Sequence, residues 1–356
     1  MKVFKKILLY LLVFTAIGTF ITVVGLSVLD RFIYSLTQTS AIDTANTGES
    51  ANKKETIQGI TKIKLEEGAT KVQYSFNNKY YTYLKDSKIY INTIADGKNV
   101  TVIEEEEPIV YYNLLYDKNL ILYFTETKTG NVSKLQLKTY ELSSKKTSEY
   151  NKFTVNNFSQ IKDMNMSPII NIIYINIETK TAKATNNVIY RIDLFNSMSQ
   201  VKSGLIIDHM IMLQHKDRIY YEDSKSNIYM GNTNISIFKE KVDMIGIDYD
   251  DYLYFLSKEK KNVVYKVKDN KIINKIELSD TDIVKTYTNN EGVYLIYPTY
   301  VINVAGSDPY ERIAKLSKYV QFEAIKGDMM YVKSSDNTIV QTKIIVEDAS
   351  ENDITE

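Results

Sequence analysis

The sequence predicts an all-β protein, namely a β-propeller of about seven four-stranded blades preceded by one N-terminal transmembrane helix. Three observations lead to this fold class. An uncharged apolar run of 23 residues lies near the start of the chain. Short apolar strands then alternate with polar turns, and tyrosines recur at steps close to 40 residues. The composition agrees, since 29 tyrosines and only 4 prolines favour strand.

The bulk composition excludes several classes of function. The 44 basic and 44 acidic side chains cancel, so no broad attraction to a phosphate backbone is expected and nucleic-acid binding is disfavoured. The chain has no cysteine, which excludes disulfides, thiolate metal sites and a cysteine nucleophile. No glycine-rich phosphate loop and no Gly-x-Ser-x-Gly motif occurs. We therefore expect no cofactor and no metal.

The apolar run, residues 7–29, is interpreted as the transmembrane helix. As a helix it spans about 35 Å, enough for a hydrocarbon core of about 30 Å. Residues 1–6 form a basic stub carrying Lys2, Lys5 and Lys6. Positive residues stay on the cytoplasmic side of a membrane. The N-terminus is therefore expected on the cytoplasmic side of the cell membrane, and the residues after the helix on its outer side.

A cleaved signal peptide is the competing interpretation of the same segment. Apolar regions of signal peptides usually run about 7–15 residues, which is shorter than this one. A weak cleavage pattern at Thr39-Ser40-Ala41 lies well beyond the apolar stretch. The sequence therefore favours a single-pass anchor that is retained.

One face of the predicted helix carries small residues. Thr15, Gly18, Thr22 and Gly25 recur at spacings of three, four and three. Such a face lets another helix approach closely, so it is a candidate packing surface for self-association or for a signalling partner. The alternative is that glycine and threonine are simply common in membrane helices.

The remaining chain divides into three regions. Residues 30–56 are polar and rich in small side chains, as expected of a flexible linker. Residues 57–346 form the predicted propeller ectodomain. Residues 347–356 are an acidic tail, interpreted as frayed.

The repeat in residues 57–346 consists of a polar turn followed by a short apolar strand ending near a tyrosine. The tyrosines used to count it are 90, 123, 174, 220, 254, 294 and 331. Their steps of 33, 51, 46, 34, 40 and 37 residues suit four-stranded blades. Variable spacing keeps a β-sandwich or an irregular β domain open as alternatives.

The final repeat has only three strands before the chain runs out. Residues 57–65, at the start of the domain, form an extra strand with no blade of its own. We expect this strand to complete the last blade and close the ring, because an open edge would otherwise be exposed.

The stretch from Tyr80 to Tyr90, continued by Ala95-Asp96-Gly97-Lys98, resembles a blade of the TolB-like bacterial propellers. It is also similar to uncharacterised propellers of Gram-positive cell envelopes. The resemblance extends loosely over residues 57–346 and lies in the rhythm of aromatic, turn and strand. It implies a domain that binds a protein, a peptide or a glycan, and it assigns no residue a role.

Three groups of polar residues were considered for chemistry. His209 and His215 lie on strand-like segments, and two ordinary histidines are expected rather than a metal site. Asp248-Tyr249-Asp250-Asp251 lacks the glycine and glutamate of a calcium loop, so a strand-joining turn is expected. Glu104 to Glu107 are expected to form a solvated loop, with a cation or basic-partner patch as the alternative.

The predicted function is that of a non-enzymatic binding or scaffold module, tethered to a bacterial cell membrane and presenting its domain outside. The partners are the lipid bilayer, through residues 7–29, and a protein, peptide or glycan at the propeller face. Most tyrosines lie at strand positions, where packing explains them better than sugar stacking. The alternatives are a glycoside hydrolase or lyase using carboxylates in the central channel, and a membrane-tethered sensor.

Overall fold

The computed structural model describes residues 61–167, 169–193, 195, 197–289, 291–316 and 320–344. All of them belong to the second of the two units into which the chain divides, Gly59–Glu356. They contain 28 strands in seven four-stranded antiparallel sheets, so the predicted seven-bladed all-β propeller is confirmed. Each sheet is one blade, and its four strands are arranged in order from the central channel to the outer edge.

The first strand of the described chain, β1 (Thr61–Lys64), precedes blade 1 in the sequence and belongs to none of the first three blades. Blade 1 contains β2 (Thr70–Tyr74), β3 (Tyr80–Lys85), β4 (Lys88–Thr93) and β5 (Asn99–Ile103). Blade 2 contains β6 (Ile109–Leu114), β7 (Leu120–Thr129), β8 (Val132–Glu141) and β9 (Lys146–Asn156). Blade 3 contains β10 (Phe158–Ser167), β11 (Ile172–Lys180), β12 (Thr185–Ile192) and β13 (Met198–Leu205).

The next four blades follow the same meander. Blade 4 contains β14 (Ile207–Met212), β15 (Ile219–Asp223), β16 (Ile228–Met230) and β17 (Thr233–Ile235). Blade 5 contains β18 (Val242–Ile247), β19 (Leu253–Ser257), β20 (Val263–Lys268) and β21 (Lys271–Glu277). Blade 6 contains β22 (Lys285–Asn289), β23 (Gly292–Ile296), β24 (Tyr300–Asn303) and β25 (Arg312–Lys315). Blade 7 contains β26 (Val320–Lys326), β27 (Met329–Ser334) and β28 (Thr338–Lys343), with β1 as its outer strand.

The segment predicted to cross the membrane is not among the described residues. Searching the described part of the chain finds no helix of the length and apolarity that a bilayer crossing requires. Residues 7–29, with Thr15, Gly18, Thr22 and Gly25, lie outside that part, as do the linker 30–56 and the tail 347–356. These assignments stay predictions.

Strand β1 closes the ring. It pairs antiparallel with β28, from Thr61 opposite Gln341 to Lys64 opposite Thr338. Ile63 and Leu65 are buried in the cluster that also contains Tyr74 and Tyr331 of blades 1 and 7. The predicted role of the extra N-terminal strand is therefore confirmed for its described residues.

The tyrosine repeat has one member out of phase. Six of the counted tyrosines lie in the second strand of a blade, whereas Tyr90 lies in β4, the third strand of blade 1. Tyr81 occupies the second strand there and precedes Tyr123 by 42 residues, which makes the repeat more regular. The longest step, from Tyr123 to Tyr174, reflects the strands of 10 and 11 residues in blade 2.

The core lies between blades, because one four-stranded sheet cannot hide both of its faces from water. The cluster between blades 2 and 3, for example, joins Leu122 and Leu137 to Ile161 and Ile175. Each fully buried aliphatic side chain of this kind contributes about 1.5–3 kcal/mol. The blades therefore stabilise one another around the ring.

Two-residue turns set the register of the hairpins. Asp86 and Ser87 join β3 to β4 with φ values of 50° and 58°. Asp269 and Asn270 join β20 to β21 with φ values of 48° and 59°. Two successive left-handed residues form the turn that matches strand twist, and short polar side chains tolerate this conformation.

An extra residue interrupts six of the seven innermost strands, all except β22. At four of these strands the residues left out of the pairing include a charged one: Lys71 in β2, Lys162 in β10, Asp208 in β14 and Glu323 in β26. A bulge re-aims a side chain and bends the strand. These charged side chains consequently depart from the alternation of a regular strand.

Candidate functional site

A cavity of about 270 Å³ opens at one end of the central channel. It lies where the innermost strands of blades 2 to 6 end and lead into their second strands. Its lining residues are Asn113, Leu115, Tyr116, Asp163, Met164, Asn165, Met166, Met210, Ile211, Met212, Gln214, Ile247, Asp248, Tyr249, Thr288 and Asn289. An axial cavity with apolar walls and a few polar groups is the usual form of a ligand site.

Four methionines form much of the apolar wall. Met164 and Met166 alternate along β10, while Met210 and Met212 alternate along the neighbouring β14. Alternate residues of a strand project to the same side, which places each pair together. Met164, Met210 and Met212 are 3%, 4% and 2% exposed and pack in the clusters between blades 2 and 3 and between blades 3 and 4. Methionine is unbranched and polarizable, so an incoming group could be accommodated by rearrangement of these side chains.

A hydrogen bond bridges the cavity mouth between two blades that are not neighbours. The Tyr116 hydroxyl of blade 2 donates to Oε1 of Gln214 in blade 4 at 2.6 Å. Gln214 is itself fixed, since its backbone N–H donates to Asp251 at 2.5 Å and its carbonyl accepts from Ser167. The bridge gives the mouth a defined shape.

The Asp248–Asp251 segment forms the predicted turn. Asp248 accepts hydrogen bonds from the backbone N–H groups of Asp250 and Tyr252 and from the Tyr254 hydroxyl. Asp251 adopts φ of 64° and accepts from the backbone of Gln214 and His215. Both carboxylates hold loop backbone in place, as expected of aspartate in a turn.

The two histidines do not come together. His209 lies in β14 opposite Glu222, whereas His215 lies in the following loop, with Nδ1 at 3.4 Å from Asp251. The His215 ring contacts Tyr249 edge-on, with 5.1 Å between centroids. Across the described ranges, no three His, Cys, Asp or Glu side chains are arranged to hold a metal ion.

The glutamate run differs from the expected solvated loop at one position. Glu104 pairs with Lys88 at the surface. Glu105, in contrast, is largely buried, with 17% of its side chain exposed, and it binds Lys138 at 2.7 Å and the Tyr123 hydroxyl. Tertiary packing of β7 and β8 against the loop draws this one carboxylate inwards, so the prediction was wrong for Glu105.

Of the two carboxylates that line the cavity, that of Asp163 accepts fewer hydrogen bonds than that of Asp248. Oδ1 accepts the Met164 backbone N–H at 2.8 Å, and Oδ2 accepts the Asn165 side-chain amide at 2.8 Å. Burial raises the pKa of Asp163, although these two donors and the nearby charges of Lys71 and His209 oppose the shift. Each oxygen retains lone-pair capacity for a further donor.

Lys71 lies in the bulge of β2 with its amine over the Tyr111 ring, 3.2 Å from the centroid. Lys71 is exposed as a residue, although the protein around its amine partly desolvates the charge. Partial burial lowers the pKa of Lys71 to about 8, against the opposing effect of the Asp163 charge. Its amine is therefore far less basic than that of an ordinary lysine.

We predict that Lys71 reacts unusually fast with an acylating reagent. At pH 8 roughly half of an amine with a pKa near 8 is neutral, against under about 1% for an ordinary lysine. Competitive labelling followed by peptide mass spectrometry should find Lys71 modified at least about tenfold faster than Lys98, after allowance for restricted access. Lys98 is the control because it is exposed and paired with Asp96 at 2.8 Å. Parallel pH profiles for the two lysines would contradict this prediction.

The same end of the propeller exposes large apolar side chains. Loops joining first to second strands, and third to fourth strands, open at this end. The exposed residues on these loops are Phe76, Ile169, Phe195, Tyr249 and Tyr310. Phe195 is 87% exposed, the highest value among the exposed large apolar residues of the described chain. We call this end, with its cavity, the cavity face.

Sequence reasoning did not identify the cavity face. Met164-Asn165-Met166 and Met210-Ile211-Met212 share a Met-x-Met pattern, the one signal in the sequence that marks both walls. Neither Asp163 nor Lys71 stands out locally, since each is one charged residue in a strand. Their proximity depends on how the ring places blades 1 and 3 on either side of blade 2.

Comparisons with known proteins agree on the fold alone. No family model matches the chain, and no curated protein matches it. Among solved structures, the chain is similar to Hsv2 of Kluyvelomyces marxianus, with a TM-score of 0.50 and 11% sequence identity. The match covers 80% of this chain and 94% of that one. At such low identity the likeness supports the propeller architecture and transfers no function.

Proposed function

We propose that this protein is a membrane-anchored, extracytoplasmic binding module whose cavity face recognises a protein or peptide partner. The cavity would receive one side chain of that partner, while the exposed aromatic residues around it provide the surrounding contact. The observation that carries the proposal is the coincidence of an adaptable apolar cavity and exposed Phe195, Tyr249 and Tyr310 at one end of the ring. Aromatic side chains are the residue types most enriched at the centre of protein interfaces.

A peptide suits this cavity better than a glycan. A sugar ring brings hydroxyl groups that need partners once they are buried. Several amides of the lining are already engaged: Asn165 with Asp163 and Met212, Asn289 with Ile325, and Gln214 with Tyr116. The aliphatic part of a peptide side chain, packed against the methionines, needs no hydrogen-bond partner.

The carboxylate-hydrolase alternative has less support. Asp163 and Asp248 are the two carboxylic acids that line the cavity. Asp248 is committed to the turn through three hydrogen bonds, so it is poorly placed to act as a nucleophile or base. A pair of freely acting carboxylates, which glycoside hydrolysis requires, is therefore not assembled among these residues.

The anchor belongs to the proposal on the strength of the sequence. The uncharged run 7–29 and the lysines before it support an N-terminus inside and a propeller outside. The TolB-like grouping belongs here too, supported by the rhythm of residues 80–98. Protease added to intact cells should digest the domain; protection until the cells are opened would contradict the orientation.

Partner recognition can be tested on the full chain reconstituted in detergent micelles. Peptides selected from a random library should lose roughly 3- to 30-fold in affinity for Tyr249→Ala or Phe195→Ala, as expected for exposed aromatic contacts. The matched control is Val284→Ala, since Val284 is 69% exposed on a loop at the opposite end. Unchanged affinity for both aromatic variants, or an equal loss for the control, would contradict the proposal.

A further inference from the structure

The charged side chains that line the cavity are all acidic. Its ionisable lining groups are the carboxyls of Asp163 and Asp248 and the hydroxyls of Tyr116 and Tyr249. Among the described residues, none of those lining it is a lysine, arginine or histidine. A cation entering the cavity therefore meets acceptors in the lining. Lys71, whose charge acts on Asp163, is not itself a lining residue.

Only one of the two carboxylates is available to a ligand. Asp248 is held by two backbone N–H groups and the Tyr254 hydroxyl, and the Lys266 amine lies 3.6 Å from its Oδ2. Asp163 accepts one hydrogen bond on each oxygen, which fixes its orientation and leaves each oxygen able to accept another. A fixed acceptor of this kind is preorganised for a donor that carries charge.

The walls above Asp163 suit an aliphatic stem. Met164, Met166, Met210 and Met212 are among the lining residues, where they belong to the apolar clusters that join blade 3 to blades 2 and 4. Their thioether side chains are flexible. Lysine and arginine combine such a stem with a terminal cation, and both can bury the stem while the charge finds a partner. A volume of about 270 Å³ admits a single side chain of this size and excludes a folded segment.

From this geometry we infer that the partner's inserted side chain is basic, a lysine or arginine whose cation pairs with Asp163 while its stem packs against the four methionines. The inference rests on the proposed partner-binding function and specifies its chemistry. The basic side chains already near Asp163 do not occupy this position. Lys71 is held over the Tyr111 ring, and His209 lies on β14 opposite Glu222.

Two small probes can test the inference without a known partner. They are the Nα-acetyl N-methylamides of lysine and of norleucine, which share the stem and differ in the charged amine. The full chain, labelled with ¹³C at methionine methyl groups, would be titrated with each probe. We expect the lysine probe to shift the signals of Met164, Met166, Met210 and Met212 and to bind about tenfold or more tightly than norleucine. Equal affinity of the two probes for the unmodified protein would overturn the inference, and this comparison needs no variant.

Variants locate the charge. Asp163→Asn keeps the shape of the side chain and should abolish the preference for lysine. Asp250→Asn, which removes an exposed carboxylate from the neighbouring loop, should leave the preference intact. A preference that survives in Asp163→Asn would overturn the assignment to Asp163. Failure of the partner proposal is separate, because that would appear as peptide binding indifferent to Tyr249→Ala and Phe195→Ala.

Discussion

Deleting residues 57–65 should lower the free energy of unfolding by several kcal/mol, about 3–6, because it opens the ring at blade 7. The deletion removes strand β1 and its pairing with β28 from Thr61 to Lys64. It also removes the buried side chains of Ile63 and Leu65, each worth about 1.5–3 kcal/mol. Chemical denaturation of the full chain, followed by circular dichroism, measures the change.

A pair of point variants separates closure from a general effect of shortening the chain. Ile63→Ala removes a side chain that is 3% exposed and should cost about 2–4 kcal/mol. Lys62→Ala alters the preceding, exposed residue of the same strand and should change stability by under about 0.5 kcal/mol. Equal stability of the deletion and the unmodified chain would contradict the role given to β1.

Replacing Glu222 by alanine should destabilise the joint between blades 4 and 5 by about 2–4 kcal/mol. Glu222 is 1% exposed in β15 and accepts the backbone N–H of Met244 in β18 at 2.9 Å. It also pairs with Lys258 at 3.1 Å. Its loss leaves the Met244 N–H buried without an acceptor and Lys258 with Asp243 alone.

The matched control for Glu222→Ala is Asp243→Ala, which removes the more exposed of the two carboxylates that pair with Lys258. Asp243 pairs with the same lysine at 2.5 Å but is 41% exposed, so Asp243→Ala should cost under about 1 kcal/mol. Both variants would be compared with the unmodified chain by urea denaturation. A loss for Asp243→Ala as large as that for Glu222→Ala would contradict the importance given to burial.

Acid conditions should reveal the protonation of Glu222. Burial raises the pKa of Glu222 above 4.5, although the Met244 N–H and Lys258 oppose the shift. A carboxyl with a raised folded pKa contributes most stability below its unfolded pKa, and this contribution is lost as the pH rises through the folded value. The unmodified protein should therefore gain stability relative to Glu222→Gln as the pH falls towards 4.5. Denaturation midpoints of the two proteins at several pH values measure this difference.

The sequence was most informative where a residue's role follows from local pattern. Alternating apolar residues and the turn residues of Asp86-Ser87 predict strands and hairpins directly, because side-chain period and left-handed backbone are local properties. The tyrosine repeat predicted seven blades even though Tyr90 was out of phase, since the count depends on the mean step. The turn at Asp248–Asp251 followed for the same reason, as aspartate caps backbone amides close to it in sequence.

The local sequence pattern did not predict which charged side chains are buried or lie near the channel. Alternation assigns each strand residue to one of two faces, but bulges at Lys71, Asp208 and Glu323 add a residue and disturb that alternation. Glu105 was misjudged because its partners, Lys138 and Tyr123, lie on strands 18 or more residues away. Nothing near these residues in sequence distinguishes a buried charge from a solvated one.

The amino-acid sequence by itself determined an all-β chain of four-stranded repeats closed by an N-terminal strand, because hydrophobic period, turn residues and repeat length are written locally. Only the tertiary structure decided that Asp163, four methionines and the Tyr116–Gln214 bridge surround one cavity. These groups come from different blades, separated by up to 98 residues along the chain. Packing the blades radially brings the ends of their innermost strands together at the axis, and that convergence creates the site.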